Sequence, residues 1–422
     1  MNTTTAPTSP VAIRQIARPQ HNWPLYLLVV LIPLQNIYLE ELPNFGAGLN
    51  AINMLFIAAL YMAMRCGNGL VRGSGVNGWV WAFMGVAFIA LLNGLNAVED
   101  AGRHPNMLKD QLIAMSIVFL AQMSVSNWAE LRRLYVLTLL PLPYMFFVLR
   151  EQNMAIDATT YTHDLRINAT FVELGANEMA AFFVTASLVA LGLTFCARVK
   201  WQWRAFFAVA AAVAATGVIL SYSRTAYVAI LIGAAIIILV PRTRFRLIVP
   251  VFLIALILPV LLPPAVVERF ETITIEEGER DQSTEDRFEF WSTAVHEWSK
   301  RPVMGIGYHT FHHPEFNPAE MDVHNFFLRE LVEKGIVGAV VLIGLLWSLG
   351  RLIIRGYREA PPDSWYAGLT LGLLGAFVAL LIGNIFGDRF TYYPMIAHFW
   401  LYIGLALRGL QLRHAELVPS LR

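Results

Sequence analysis

Twelve apolar runs recur along the chain, near residues 24–42, 47–66, 77–95, 107–126, 131–150, 174–196, 204–221, 224–241, 245–264, 335–354, 365–384 and 391–409. A helix needs about 20 apolar residues to cross roughly 30 Å of hydrocarbon. The pattern therefore predicts an all-α polytopic membrane protein of about twelve transmembrane helices. The stretch from Arg204 to Val240 is nearly unbroken; as one helix it would reach roughly 55 Å at 1.5 Å per residue, too long for a single crossing. It must fold back, and Ser221-Tyr222-Ser223-Arg224 is the polar place to turn. The long polar interruption at 265–334 carries a pattern of its own. Ser283-Thr284-Glu285-Asp286 has the form of a capping box, and Phe288, Trp291, Val295 and Trp298 then share one face until Pro302. That spacing predicts an amphipathic helix lying along the membrane or against the bundle. Gly305-Ile306-Gly307 reads as a turn, and Asp322 as the cap of a second helix, His324 to Lys334, leading into the tenth span.

Composition agrees with the membrane class, with 57% hydrophobic and only 14% charged residues. A net charge of +1 without a basic stripe argues against a nucleic-acid partner. Charge position says more than charge sum, because cytoplasmic loops carry an excess of Lys and Arg. With the N-terminus inside, eighteen of the 31 Lys and Arg fall in the cytoplasm, six in the short opposite loops and seven in the long loop. Both ends are then expected in the cytoplasm and the long loop outside. The expected organisation is a tail at 1–22, spans one to nine within 23–264, a loop domain at 265–334, spans ten to twelve within 335–409, and a tail at 410–422. The first 22 residues are polar and hold Pro7, Pro10 and Pro19, so the first span is expected to be an uncleaved anchor. Cys66 and Cys196, the two cysteines, fall at cytoplasmic helix ends, which argues against a disulfide.

Three arginines stand at the outer boundary of the membrane: Arg224 at the tight hairpin, Arg287 opening the loop helix, and Arg389 before the last span. Charge in such places is costly and is a functional candidate by default, although snorkelling side chains occupy the same positions. Guanidinium stays charged and grips phosphate oxygens bidentately, so a cluster of them can hold a diphosphate without a metal. Arg166, in the outer loop before the sixth span, is a fourth candidate. The long loop also holds His309, His312, His313 and His324. His309-x-x-His312-His313 resembles a metal cluster but lacks further ligands at defined spacing, so it reads as structural or surface and no metal site or cofactor is assigned. His324 is the candidate base, at a helix start whose dipole favours neutral imidazole while Asp322 opposes it. The acidic positions from Glu268 to Glu289 read as a solvated face, and they contain no Asp-x-Asp pair for a divalent metal.

Arg287-x-x-x-Trp291, Pro302-x-x-Gly305-x-Gly307, His324-Asn325-x-x-Leu328 and Glu333-x-Gly335-x-x-Gly338 together resemble the signature of the O-antigen ligase and O-antigen polymerase superfamily. Ser221-x-Ser223-Arg224 resembles that family's other common motif. The resemblance implies a GT-C-like glycosyltransferase of the bacterial inner membrane, active on the periplasmic side. It implies a glycan on undecaprenyl diphosphate as donor and, in the ligases, a sugar hydroxyl of lipid A-core as acceptor, with membrane lipids around both. Carried over, Arg224 and Arg287 would hold the diphosphate and His324 would take the acceptor's proton. Arg166, Arg389, Asn325 and His313 are assigned to substrate binding around them. A single long outer loop favours ligase over polymerase within the family. A transporter is the alternative class, but the major facilitator arrangement divides six and six around a central cytoplasmic loop, whereas Cys196 to Arg204 is short here.

Overall fold

Helix boundaries fall where the sequence supplies caps and breakers. The computed structural model describes residues 21–35, 50–154, 156, 166–171, 174–196, 198–240, 264–265, 267 and 282–417, and among the described residues the secondary structure is helical with no strand. α1 (Trp23–Leu31) starts on Asn22, whose Oδ1 accepts the Leu25 N–H at 3.1 Å, and α2 (Ala51–Arg65) starts on Asn50 in the same manner. α3 (Val76–Gly94) and α4 (His104–Ser124) follow. The fifth apolar run is not one helix: α5 (Trp128–Leu137) and α6 (Leu142–Met154) meet at a break around Pro141, whose ring cannot continue an interior turn. α7 (Ala176–Cys196), α8 (Trp201–Ile219) and α9 (Arg224–Leu239) come next, then α10 (Gln282–Lys300), α11 (Phe326–Glu359), α12 (Trp365–Gly383) and α13 (Tyr393–Leu417).

Among the described residues, seven helical segments are long and apolar enough to cross a membrane: α3, α5 with α6, α7, α8, α11, α12 and α13. Three shorter apolar helices, α1 with its 3-10 extension, α2 and α9, cover further expected runs. α4 covers the fourth run but opens on polar residues including Lys109, Asp110 and Gln111, and is not among the seven. The ninth expected run, 245–264, lies outside the described residues except for its last position, and residues 1–20 of the N-terminal tail and the acidic stretch 268–281 lie outside them entirely. α8 and α9 fold back on each other where expected, with Tyr222 in the left-handed region at φ 50°.

α7, α9 and α12 pack at glycine contacts. A Cβ on Gly192 would lie 2.5 Å from the Gly368 carbonyl and from Gly372 N, and one on Gly233 would lie 2.9 Å from the Gly375 carbonyl. Small residues let backbones approach this closely where lipid supplies no hydrophobic drive between helices. The long loop is fastened through a second glycine seam. α11 breaks at Gly335 (φ 63°, ψ −165°), and the freed backbone pairs with the Pro302–Gly307 segment. Ile306 and Gly307 donate to the Val332 and Glu333 carbonyls at 2.9 Å, and Ile336 donates to the Pro302 carbonyl at 2.9 Å. Gly305-Ile306-Gly307 is therefore a paired segment and not merely a turn. Beneath it Ala294, Ile306, Phe311, Val323 and Val332 form a small core of their own with Val98.

α10 covers that core with a different face from the expected one. Phe290 and Ala294 are buried and Trp291 and Trp298 half-buried, while Phe288 and Val295 are exposed. The indole N–H groups decide the rotation: Trp291 Nε1 donates to the Val323 carbonyl at 3.0 Å and Trp298 Nε1 to that of Pro302 at 3.2 Å. The second loop helix also starts later than expected. His324 sits at φ 51°, so helical geometry cannot begin there, and Asn325 is the cap, its Oδ1 accepting the Leu328 N–H at 3.1 Å. Asp322 does not cap it.

Loop and bundle meet at one end of the helices, where Gly307 lies against Gly94 at the end of α3 and Phe326 N–H reaches the Asn384 carbonyl after α12. Arginines gather at the other end. A cavity of about 1250 Å³ there is walled by Arg72, Arg351, Arg355, Arg358 and Arg408, and one of about 580 Å³ by Arg132, Arg133, Arg198 and Lys200.

Candidate functional site

At the loop end, a cavity of about 320 Å³ is enclosed by five stretches of chain. The segment before α7 supplies Arg166, the start of α7 supplies Asn177 and Glu178, α10 supplies Arg287, the turn into α11 supplies Asp322, His324, Asn325 and Arg329, and the turn into α13 supplies Asp388, Arg389 and Tyr392. Five of the seven expected site residues therefore share one wall: His324, Arg287, Arg166, Arg389 and Asn325. The larger cavity at the other end also joins arginines to an imidazole, His414, but none of the expected site residues lines it, which is why the smaller one is the candidate.

Arg224 and His313 are not in that wall. Arg224 opens α9, one residue from Ser223, whose Oγ donates to Asn177 Oδ1 at 2.8 Å. The two serines of the hairpin have separate tasks. Ser221 Oγ donates to the Val218 carbonyl and accepts the Ser223 N–H at 3.3 Å, closing the turn, and Ser223 ties that turn to a residue of the cavity wall. His313 lies against His104, Nε2 to Nε2 at 2.9 Å, because the 309–313 turn faces the start of α4. Asn325 lines the cavity, but its Oδ1 is committed to the helix cap, leaving the amide nitrogen for a ligand.

The cavity's charges are interlocked. Arg389 Nη1 pairs with Glu178 Oε1, and its backbone N–H donates to Asn384 Oδ1 at 2.7 Å. Arg329 pairs with Asp388 and donates to Thr391 Oγ1, and Thr391 in turn donates to Asp388 Oδ1 at 2.9 Å. Four arginines thus face three carboxylates, Glu178, Asp322 and Asp388, around His324. Among the described residues, Arg166 Nε and Asp322 Oδ1 are buried without a hydrogen-bond partner. Burial lowers the His324 pKa; Asp322 opposes this, while Arg287 and Arg389 add to it. The imidazole is therefore neutral near pH 7 and able to accept a proton. Its left-handed backbone is a strained conformation of the kind that collects at functional sites. The ring lies 6.3 Å, centroid to centroid, from that of Phe290 on α10.

Arg329, Glu178 and Asp388 were not among the expected site residues. Glu178 carries a readable signal, a carboxylate inside an apolar run; Arg329 and Asp388 carry none beyond adjacency to named positions. Chemically, this wall presents guanidinium groups able to hold a multiply charged anion beside a neutral imidazole, in a partly desolvated recess. Residues 209–343 match a family model described as O-antigen ligase. That span contains the Ser221–Arg224 hairpin, α10, the glycine seam and His324. No curated protein matches the chain.

Proposed function

The match of residues 209–343 to a family model described as O-antigen ligase is the premise from which we propose that this chain is a membrane glycosyltransferase of the bacterial inner membrane. The donor is a glycan on undecaprenyl diphosphate and the acceptor a sugar hydroxyl of lipid A-core. The observation that carries the reading is the convergence of Arg166, Arg287 and Arg389, from three distant stretches of chain, on one cavity with His324. The fold is a GT-C-like bundle of twelve spans with both termini cytoplasmic and the arginine cavity periplasmic. The gathering of arginines at the end remote from the loop supports that orientation.

In the proposed reaction, the acceptor oxygen attacks the anomeric carbon while His324 takes its proton. The bond from that carbon to the diphosphate oxygen breaks, and the charge that develops on the leaving diphosphate is met by Arg287, Arg389 and Arg166, with Arg224 nearby. Fixed positive charge aimed at a developing anion is where such a site gains most, and a positioned base adds about 10²–10⁴-fold. Direct displacement inverts the anomeric centre. Guanidinium supplies the charge that magnesium or manganese would otherwise bring to the diphosphate, so transfer proceeds without either ion. Activity that returns after chelation only with magnesium or manganese counts against this.

The deciding experiment is deletion of the gene followed by complementation with His324→Ala, Arg224→Ala and Arg287→Ala, with lipopolysaccharide resolved on a gel. A ligase deletion leaves bare core and accumulated lipid-linked polymer. A polymerase deletion leaves single repeats on the core, which is the second reading of the same site. Full ladders from all three variants reject the site. Uptake in proteoliposomes without glycan transfer revives the transporter.

A further inference from the structure

Outside the arginine cavity, the structure collects histidines for which glycan transfer has no use. His104 opens α4, and His309, His312 and His313 occupy the turn that faces it. Ring centroids lie 4.2 Å apart for His309 and His312, 4.3 Å for His312 and His313, and 5.0 Å for His104 and His313. One ring nitrogen from each of His104, His312 and His313 lies within 4.8 Å of the other two, and Nε2 of His104 stands 2.9 Å from Nε2 of His313. Zinc bound tetrahedrally at about 2.0–2.1 Å holds its nitrogens about 3.4 Å apart, so the three rings need only small adjustments to share an ion.

A hydrogen bond between two imidazoles accounts for one of these contacts and no more. It leaves Nδ1 of His312 buried without a partner among the described residues, whereas buried polar atoms are ordinarily satisfied. The surrounding backbone holds the rings in place by its own bonds: Tyr308 N–H donates to the Ala90 carbonyl at 2.9 Å, His309 N–H to Glu333 Oε2 at 2.9 Å, and Thr310 Oγ1 to the Gly307 carbonyl at 2.9 Å. We propose that His104, His312 and His313 bind a divalent ion of the zinc class, which staples the start of α4 to the 309–313 turn. Imidazole nitrogens without thiolate suit zinc, and also cobalt, nickel and copper, while magnesium and calcium demand oxygen. Three protein ligands leave a coordination position for water. None of the three residues lines the arginine cavity, so the ion is a fastening and takes no part in the transfer step.

The test uses the full-length chain in nanodiscs, carrying a tag without histidine, and needs no glycan substrate, so its outcome is independent of transfer. Cobalt(II) is titrated as a spectroscopic probe, then displaced with zinc. The expected result is a strong visible ligand-field band of low-coordinate cobalt that saturates at one equivalent and is bleached by zinc. His104→Ala and His313→Ala should each weaken binding by more than about 100-fold, beyond the 10–100-fold expected of a second-shell partner, while His296→Ala, away from the cluster, leaves it unchanged. Only weak octahedral cobalt absorption, or equal binding by the His104 and His313 variants, overturns the site in favour of a plain hydrogen-bonded histidine pair. Should either variant fold poorly, the wild-type chain still decides: zinc raises its melting temperature and magnesium does not, and an unchanged melting temperature refutes the proposal.

Discussion

Replacing Gly335 with alanine probes the join on which the cavity depends. A Cβ there would lie 2.2 Å from the Val303 carbonyl oxygen and 2.6 Å from Met304 N, both backbone atoms that no rotamer change can move. The conformation itself, φ 63° with ψ −165°, belongs almost to glycine alone and costs any other residue about 1–3 kcal/mol. Relieving the overlap requires the 302–307 segment to withdraw from α11, which breaks the Ile336-to-Pro302 and Val337-to-Val303 bonds. At about 0.5–1.5 kcal/mol per hydrogen bond, two of them add about 1–3 kcal/mol. The expected loss is therefore about 2–6 kcal/mol, borne locally by the seam. At about 1.4 kcal/mol per tenfold, amide hydrogen exchange at Ile306, Gly307, Ile336 and Val337 should quicken by about thirty-fold or more. Gly85→Ala is the control, because a Cβ on Gly85 meets nothing within 4 Å. Exchange at those four amides within about threefold of wild type, with an unchanged melting temperature, would show that the seam does not hold the loop.

Four further outcomes are expected. His324→Ala should lower kcat for transfer by about 10²–10⁴-fold with KM nearly unchanged, measured with purified protein and lipid-linked donor; an unaltered kcat removes His324 from the reaction. Because a base must be unprotonated and burial lowers the His324 pKa, kcat/KM should hold steady as pH falls through about 6.5 and decline only below that value. An acid limb centred above it contradicts the assignment. Arg329→Leu leaves Asp388 buried without its partner and should cost about 3–5 kcal/mol in thermal unfolding, while Arg329→Leu with Asp388→Leu regains most of it; equal losses would mean that the pair is not coupled. Glu178→Gln frees Arg389 from its carboxylate, so undecaprenyl diphosphate should inhibit transfer about 10- to 100-fold more strongly, as expected for a charge-assisted bond of about 1.5–3 kcal/mol; weaker inhibition reverses the argument.

The helices were legible because crossing hydrocarbon imposes a minimum apolar length, and the hairpin because Arg204 to Val240 exceeds one crossing. Within the loop, the helix over 282–300 was visible from its periodicity, yet its buried face was not, since the two indole hydrogen bonds that set its rotation connect to Val323 and Pro302. Asp322 looked like a cap because of its place before a helix; only the left-handed backbone at His324 moves that role to Asn325. Arg287, Arg389 and His324 stood out as charge or imidazole at the membrane boundary. Arg329 and Asp388 did not, and Glu178 offered only the signal of a carboxylate inside an apolar run, which does not name its partner: pairing across 211 residues, as for Arg389 and Glu178, leaves no trace in local pattern. His104 is the same case: nothing in its own neighbourhood connects it to a turn 209 residues away.

The clasp between Arg389 and Glu178 bears on how a transferase of this kind turns over. A recess of bare guanidinium groups would seize the spent lipid carrier as firmly as the loaded one and stall after a single round. In the proposed reaction, a carboxylate waiting beside the cation makes arrival of the substrate an exchange of one anion for another and departure the same exchange run backwards, so discharge of the carrier is helped by a competitor that never leaves.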